Sequence, residues 1–251
     1  MNFIPAQDLC RHDLKSVDPA RQVAADEAFL DWAEEQGGPE MLLFWEPVET
    51  FVVVGYANRV QKEVNESVCA RENIPIFRRC SGGGTVVQMP GILNYSLILR
   101  IPSEGPLATI TSTNCFIMQK NRAALAVLLD GSPSPALSVQ GHTDLCLGSL
   151  KVSGNAQRRR RGFLLFHGTF LLHSTLDTIG HLLPMPSLQP EYRAHRNHAD
   201  FLINLNIPAE LVKESLATAW NATLPLPNPP LDRMERLAHS KYTKSEWNLK
   251  F

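Results

Sequence analysis

The chain has 251 residues, 44% hydrophobic and 20% charged, and its 24 Lys+Arg against 25 Asp+Glu leave a net charge of -1. That balance excludes a disordered or fibrous chain, and no global basic field invites nucleic acid. Five scattered cysteines form no Cys-x-x-Cys pair, no apolar run reaches the ~18–20 residues of a membrane span, and Met1–Asn2–Phe3 opens no signal-peptide pattern. The composition therefore predicts a soluble, cytoplasmic globular protein with neither a membrane nor a nucleic-acid partner.

A first helix is expected from Asp18, its cap, through Pro19 at the first helical position to a stop at Gly37–Gly38. Ala25, Phe29, Trp32 and Ala33 give it an apolar face. Strands follow at Met41–Trp45 and Phe51–Val54. Val64, Val68 and Cys69 predict a short helix, and Ile74–Phe77 and Asn94–Ile101 two more strands. Ile117, Ala124, Leu125 and Leu128 share a helical face ahead of Gly131. Asp144–Val152 reads as a tight hairpin, with Gly148–Ser149 forming a type II′ turn. Phe163–Leu172 is a strand interrupted by His167-Gly168-Thr169. Prolines punctuate the chain from Pro184 onward, around a helix starting near Pro208 with Leu211, Val212, Ser215 and Ala219 on one face. Strands outnumber helices without regular alternation, so the expected fold is α+β, a mixed sheet packed with helices.

Three stretches carry chemistry. In Arg78-Arg79-Cys80-Ser81-Gly82-Gly83-Gly84-Thr85 the glycine triplet lets backbone N–H groups approach a ligand, and two arginines supply fixed positive charge. The spacing is neither a Walker A loop nor a dinucleotide fingerprint. In Lys151-Val152-Ser153-Gly154-Asn155-Ala156-Gln157 a lysine just after a tight turn could stabilise charge on a phosphate or carbonyl oxygen. In the third, Gly168 beside His167 implies close approach of another backbone or a ligand.

Taken together, these stretches resemble the lipoate–protein ligase family. Arg78-Arg79-x-Ser81-Gly82-Gly83-Gly84-Thr85-Val86 and Gly91-x-Leu93-Asn94-Tyr95-Ser96 are similar to its lipoate-binding signature. Lys151–Gln157 and His167-Gly168-Thr169 match two further motifs, and Ala25-Asp26-Glu27-Ala28 and Lys241-Tyr242-x-x-x-Glu246-Trp247-Asn248 extend the match over nearly the whole chain. The resemblance implies a biotin/lipoate protein ligase-like catalytic domain, related to class II synthetases, over 1–190, with 191–251 as an extension packed on it. It also implies ATP and Mg2+ as cofactors, and activation of lipoate or octanoate to an acyl-adenylate. Transfer would be to a lysine of a lipoyl carrier domain, from a 2-oxoacid dehydrogenase complex or the glycine cleavage H protein.

By the same resemblance Lys151 would be catalytic. Arg79, Ser81, Gly82, Gly83, Gly84, Gln88, Asn94, Gly154, Asn155, Ala156, His167, Gly168 and Thr169 would bind substrate or adenylate, and Asp144 would lie near the nucleotide and its magnesium. The chain departs from the family where Gln88 replaces a common histidine and His142-Thr143-Asp144 an Arg-Asn-Asp run. It is also shorter than ligases with a full accessory domain, which leaves room for a separate accessory subunit.

The same fold hosts octanoyl- and lipoyl-transferases that take the acyl group from a carrier protein, some through a cysteine. At the two places where such a cysteine would fall, Phe163–Phe166 and Leu137–Val139, there is none. The expectation is therefore a ligase, with a transferase as the alternative. Cys80 and Cys146 are read as small buried residues before nucleophiles. A pure acyl-binding role is the non-enzymatic alternative, disfavoured by Lys151 and the intact glycine triplet. Arg158–Arg161 is either a solvated loop or a docking patch for an acidic carrier domain.

Overall fold

The computed structural model describes residues 8–131 and 135–251; Met1–Asn2–Phe3 lies outside them. In chain order the elements are β1 (Cys10–Asp13), α1 (Pro19–Gln36), β2 (Met41–Trp45), β3 (Phe51–Val54), α2 (Val60–Glu63), α3 (Glu66–Glu72), β4 (Ile76–Arg78), β5 (Val86–Gln88), β6 (Ile92–Arg100) and α4 (Ile110–Val127). There follow β7 (Leu137–Gln140), β8 (Asp144–Leu147), β9 (Leu150–Arg159), β10 (Phe163–Leu171), α5 (Asp177–Leu182), α6 (Ala209–Trp220), β11 (Leu224–Pro225), α7 (Leu231–Leu237) and α8 (Ser245–Asn248). Eight strands form one mixed sheet in the order β11-β1-β2-β6-β10-β9-β8-β7, and β4-β3-β5 form a second. The α+β expectation holds.

The local signals explain the elements. Asp18 Oδ1 accepts the Ala20 N–H at 2.8 Å, and Gly37 closes α1 at φ 61°. Gly148 sits at φ 58° while Ser149 stays out of the left-handed region, as a type II′ turn requires. In β2, Leu42 and Phe44 pack with α4 and α6, whereas Met41, Leu43 and Trp45 pack with α1. A sheet covered on both faces needs such continuous apolar runs.

The face predicted for α6 holds at Val212 but not at Leu211. Leu211 is exposed, and the buried stripe is Val212, Leu216 and Trp220 at i, i+4 and i+8. Ser215 instead donates to the Ala124 carbonyl at 2.7 Å.

The last part of the chain returns to the first. β11 pairs in parallel with β1, joining Cys10 to Leu224. Lys241 Nζ and Tyr242 OH donate to the buried Glu27 at 2.5 and 2.8 Å. The buried Arg78 guanidinium donates to the carbonyls of Gly55, Tyr56, Asn58 and Trp247, while Trp247 Nε1 donates to the Arg78 carbonyl at 2.8 Å. Arg78 is thus a clasp and offers no charge to a ligand. Among the described residues no helix is long and apolar enough to cross a membrane.

Candidate active site

The link from β4 to β5 carries the glycine triplet and faces β9 and β10 across a cleft of about 800 Å³. Every residue singled out above as a candidate lines this cleft except Ser81 and Gly82. The fold therefore brings together positions spread from Arg79 to Thr169.

Arg79 holds the glycine segment in shape. Its Nη2 donates to the carbonyls of Gly82 and Gly84 at 2.6 and 2.7 Å, and its Nε to Ser81 Oγ at 3.1 Å. Complete burial pushes this guanidinium down to about 10, so it stays cationic at neutral pH. The N–H groups of Gly82, Gly83 and Gly84 have no acceptor among the described residues. Gly83 adopts φ 89°, a conformation that favours glycine. A Cβ on Gly55 would overlap the Gly83 carbonyl, so the neighbouring strand end must also be glycine.

Behind that segment runs a chain of short polar contacts. Ser81 Oγ lies 2.6 Å from His167 Nε2, His167 Nδ1 lies 2.6 Å from Asp26 Oδ2, and Ser96 Oγ donates to Asp26 Oδ1 at 2.5 Å. Asp26 and Ser96 were not among the candidate site residues, although both fall within quoted motifs, Ala25–Ala28 and Gly91–Ser96.

On the opposite wall Lys151 Nζ is 2.9 Å from Asp144 Oδ1, and Tyr192 OH donates to Asp144 Oδ2 at 2.6 Å. Both Asp144 oxygens are thus engaged, and no cluster of three His, Cys, Asp or Glu side chains suited to a metal occurs among the described residues. Lys151 and Tyr192 thus fix the orientation of the Asp144 carboxylate. Gln88 and Asn94 exchange two amide hydrogen bonds at 2.8 Å each. Asn155 Nδ2 donates to the Thr143 carbonyl at 2.7 Å, and a Cβ on Gly168 would overlap Asn155 Oδ1. The close approach implied by Gly168 is therefore made by a side-chain amide.

A smaller chamber of about 240 Å³ adjoins the cleft, sharing Gly84, Thr85, Lys151 and Gly154, and is walled by Val87, Leu171, Ile179, Leu183 and Leu202. Cys80 and Cys146 are buried and outside the cleft lining. Burial pushes the Cys80 thiol up to about 12 and raises that of Cys146. The arginine run is largely committed inside the protein. Arg158 donates to the Cys80 carbonyl, Arg159 to the Leu107 and Ala108 carbonyls at 2.9 Å, and Arg160 to Asp31 at 2.6 Å. A solvated loop does not describe it.

Residues 18–219 match the family model of the lipoyl protein ligase A/B catalytic domain. The chain is 28% identical to the octanoyltransferase LipM of Bacillus subtilis (strain 168), an alignment covering 95% of this chain and 96% of that one. Among solved structures it resembles the bi-partite lipoate protein ligase of Thermoplasma acidophilum, studied with its E2 lipoyl domain. There the TM-score is 0.79 at 20% identity, covering 97% of this chain and 96% of that one. A lipoate-protein ligase A bound with ATP gives a TM-score of 0.76 at 23% identity, with coverages of 97% and 99%.

Proposed function

The chain belongs to the lipoyl protein ligase A/B catalytic-domain family, and we propose that it is an acyltransferase, moving an octanoyl group from a carrier-protein thioester to a lysine of a lipoyl carrier domain without ATP. The observation that carries this reading is the near full-length similarity to an octanoyltransferase. It reverses the expectation of a ligase, which rested on the missing cysteines. The likeness to ligase structures, at 20–23% identity, speaks for the fold alone.

In this reading the acyl chain lies in the apolar chamber beside Lys151. The thioester carbonyl faces the open N–H groups of Gly82–Gly84, which stabilise the oxyanion of the tetrahedral stage. Lys151, oriented by Asp144, adds a compact positive charge at the same point. Asn155, Ala156, Gly168 and Thr169 form the floor. Residues 191–251 serve as a packed extension of the same unit, since β11, Tyr242 and Trp247 all bind earlier elements. Five free cysteines fit a reducing, cytoplasmic setting. The acceptor is a lipoyl domain of a 2-oxoacid dehydrogenase complex or the glycine cleavage H protein.

The test compares two donors with an apo lipoyl domain, read by intact mass. Octanoyl carrier protein alone is expected to modify the domain. Modification only with free octanoate or lipoate plus ATP and magnesium would overturn the transferase and restore the ligase.

A further inference from the structure

Ser81, His167 and Asp26 stand in the order of a nucleophile, a base and an orienting carboxylate, with both links at 2.6 Å. Ser96 donates to the other Asp26 oxygen. The pairing with Asp26 places a proton on His167 Nδ1 and leaves Nε2 to accept the Ser81 hydroxyl. Arg79 Nε, 3.1 Å from Ser81 Oγ, sets a fixed cation where an alkoxide would form. The transfer outlined above makes no use of this relay. It also lacks a covalent carrier among the cysteines: Cys10, Cys69, Cys80 and Cys146 are buried away from the cleft lining, and Cys115 is exposed on α4.

We propose that Ser81 takes the acyl group from the thioester donor as an ester and passes it to the carrier lysine, an inference that rests on the transferase reading. As Ser81 Oγ bonds the thioester carbonyl carbon, its proton moves to His167 Nε2. The C–S bond then breaks and the thiolate leaves with that proton. The neutral amine of the carrier lysine next attacks the ester carbonyl and gives a proton to His167. The C–O bond breaks, and the proton returns to Ser81 Oγ. The N–H groups of Gly82–Gly84 receive the oxyanion at both stages.

Ser81 itself is 1% exposed, set in the wall behind His167 and Arg79. The segment Gly82–Gly84 has no side chains, and a Cβ at Gly82 or Gly84 would meet nothing within 4 Å. For a carbonyl group to reach Ser81 Oγ this segment must shift, breaking the Arg79 hydrogen bonds to the Gly82 and Gly84 carbonyls.

The experiment incubates the protein with octanoyl-pantetheine in the absence of a carrier domain, then maps the acid-quenched tryptic peptide 80–100 by fragmentation. An octanoyl group on Ser81, stable to neutral hydroxylamine and discharged by apo lipoyl domain, is expected. Ser81→Ala should abolish the adduct and slow transfer on the order of 10²-fold or more. Ser81→Cys should transfer through a hydroxylamine-labile thioester at the same position, which shows that the site folds. Octanoylation of Cys80 or Lys151 instead, or undiminished transfer by Ser81→Ala, would overturn the serine while leaving the transferase intact. Absence of both adduct and transfer in the unaltered protein would overturn both.

Discussion

Tyr95 donates its phenol proton to Asn155 Oδ1 at 2.6 Å, joining the core to the floor of the cleft. The Tyr95 hydroxyl in turn accepts from Asn121 Nδ2 at 2.9 Å, and Asn121 Oδ1 accepts from Trp220 Nε1 at 2.7 Å. Tyr95→Phe leaves an amide N–H and an amide oxygen unpaired in the interior, at a cost of about 2–3 kcal/mol. Calorimetry should show a melting temperature several degrees lower, with slower transfer because Asn155 loses its orientation.

Gly168→Ala tests the contact from the other side. The added methyl overlaps Asn155 Oδ1, and the Gly154 carbonyl lies 2.9 Å from the same Cβ position, so neither neighbour can give way cheaply. Transfer should fall at least tenfold, with a drop in stability of about 1–3 kcal/mol measured by urea unfolding.

Lys151→Met keeps the length of the side chain and removes its charge, leaving Asp144 with Tyr192 alone. A transfer rate lower on the order of 10²-fold is expected, with the KM for the acyl donor nearly unchanged. Lys151→Arg should fail as well, since a planar fork cannot stand in for a compact ammonium. Steady-state kinetics on both variants decide the matter.

Thiol reagents separate this protein from cysteine-dependent transferases. Burial raises the thiols of Cys10, Cys69, Cys80 and Cys146, whereas Cys115 is exposed. Iodoacetamide at pH 7.5 should label Cys115 first and leave transfer intact. Loss of activity in step with alkylation of a second cysteine would contradict it.

Acid should weaken the fold through two imidazoles. Burial lowers the pKa of His12 and His198, so the folded chain holds both neutral where the unfolded chain would bind protons. Stability is then unaffected by these groups above the ordinary histidine value of about 6.5 and declines as pH falls below it. Urea midpoints from pH 8 to 5 should show this slope, and His12→Gln and His198→Gln should each flatten it.

Much of the architecture was legible because its signals are local. Met41–Trp45 and Phe163–Phe166 are continuous apolar runs because both faces of the large sheet are covered. Asp18, Pro19 and Gly37 bound α1 by chemistry confined to a few residues.

The relay was not legible, since Ser81 and His167 are 86 positions apart and His167 and Asp26 141. No periodicity connects such pairs. Arg78 and Arg79 looked equivalent in the sequence, yet successive residues at a strand end point to opposite sides. One therefore clasps Trp247 while the other holds the glycines. Leu211 was misplaced on the buried face of α6 because Leu211–Ser215–Ala219 and Val212–Leu216–Trp220 have the same spacing, and only tertiary packing chooses between them. The choice between ligase and transferase rested on equally local signals. An absent cysteine at two positions spoke against one kind of transferase, and the Ser81–His167–Asp26 contacts, assembled by folding, were invisible.

The pairing of Cys10 with Leu224, and of Arg78 with Trp247 and Asn248, has a consequence for biosynthesis. At roughly 5–20 residues per second a ribosome needs about 10–40 s to pass from the first of these strands to the second. During that interval one side of β1 has no partner strand, the kind of exposed edge that invites aggregation, and Arg78 lacks the Trp247 carbonyl for its guanidinium and Asn248 Oδ1 for its backbone N–H. The segment bearing Ser81 and the three glycines gains its full support only when residues 224–248 have emerged and docked.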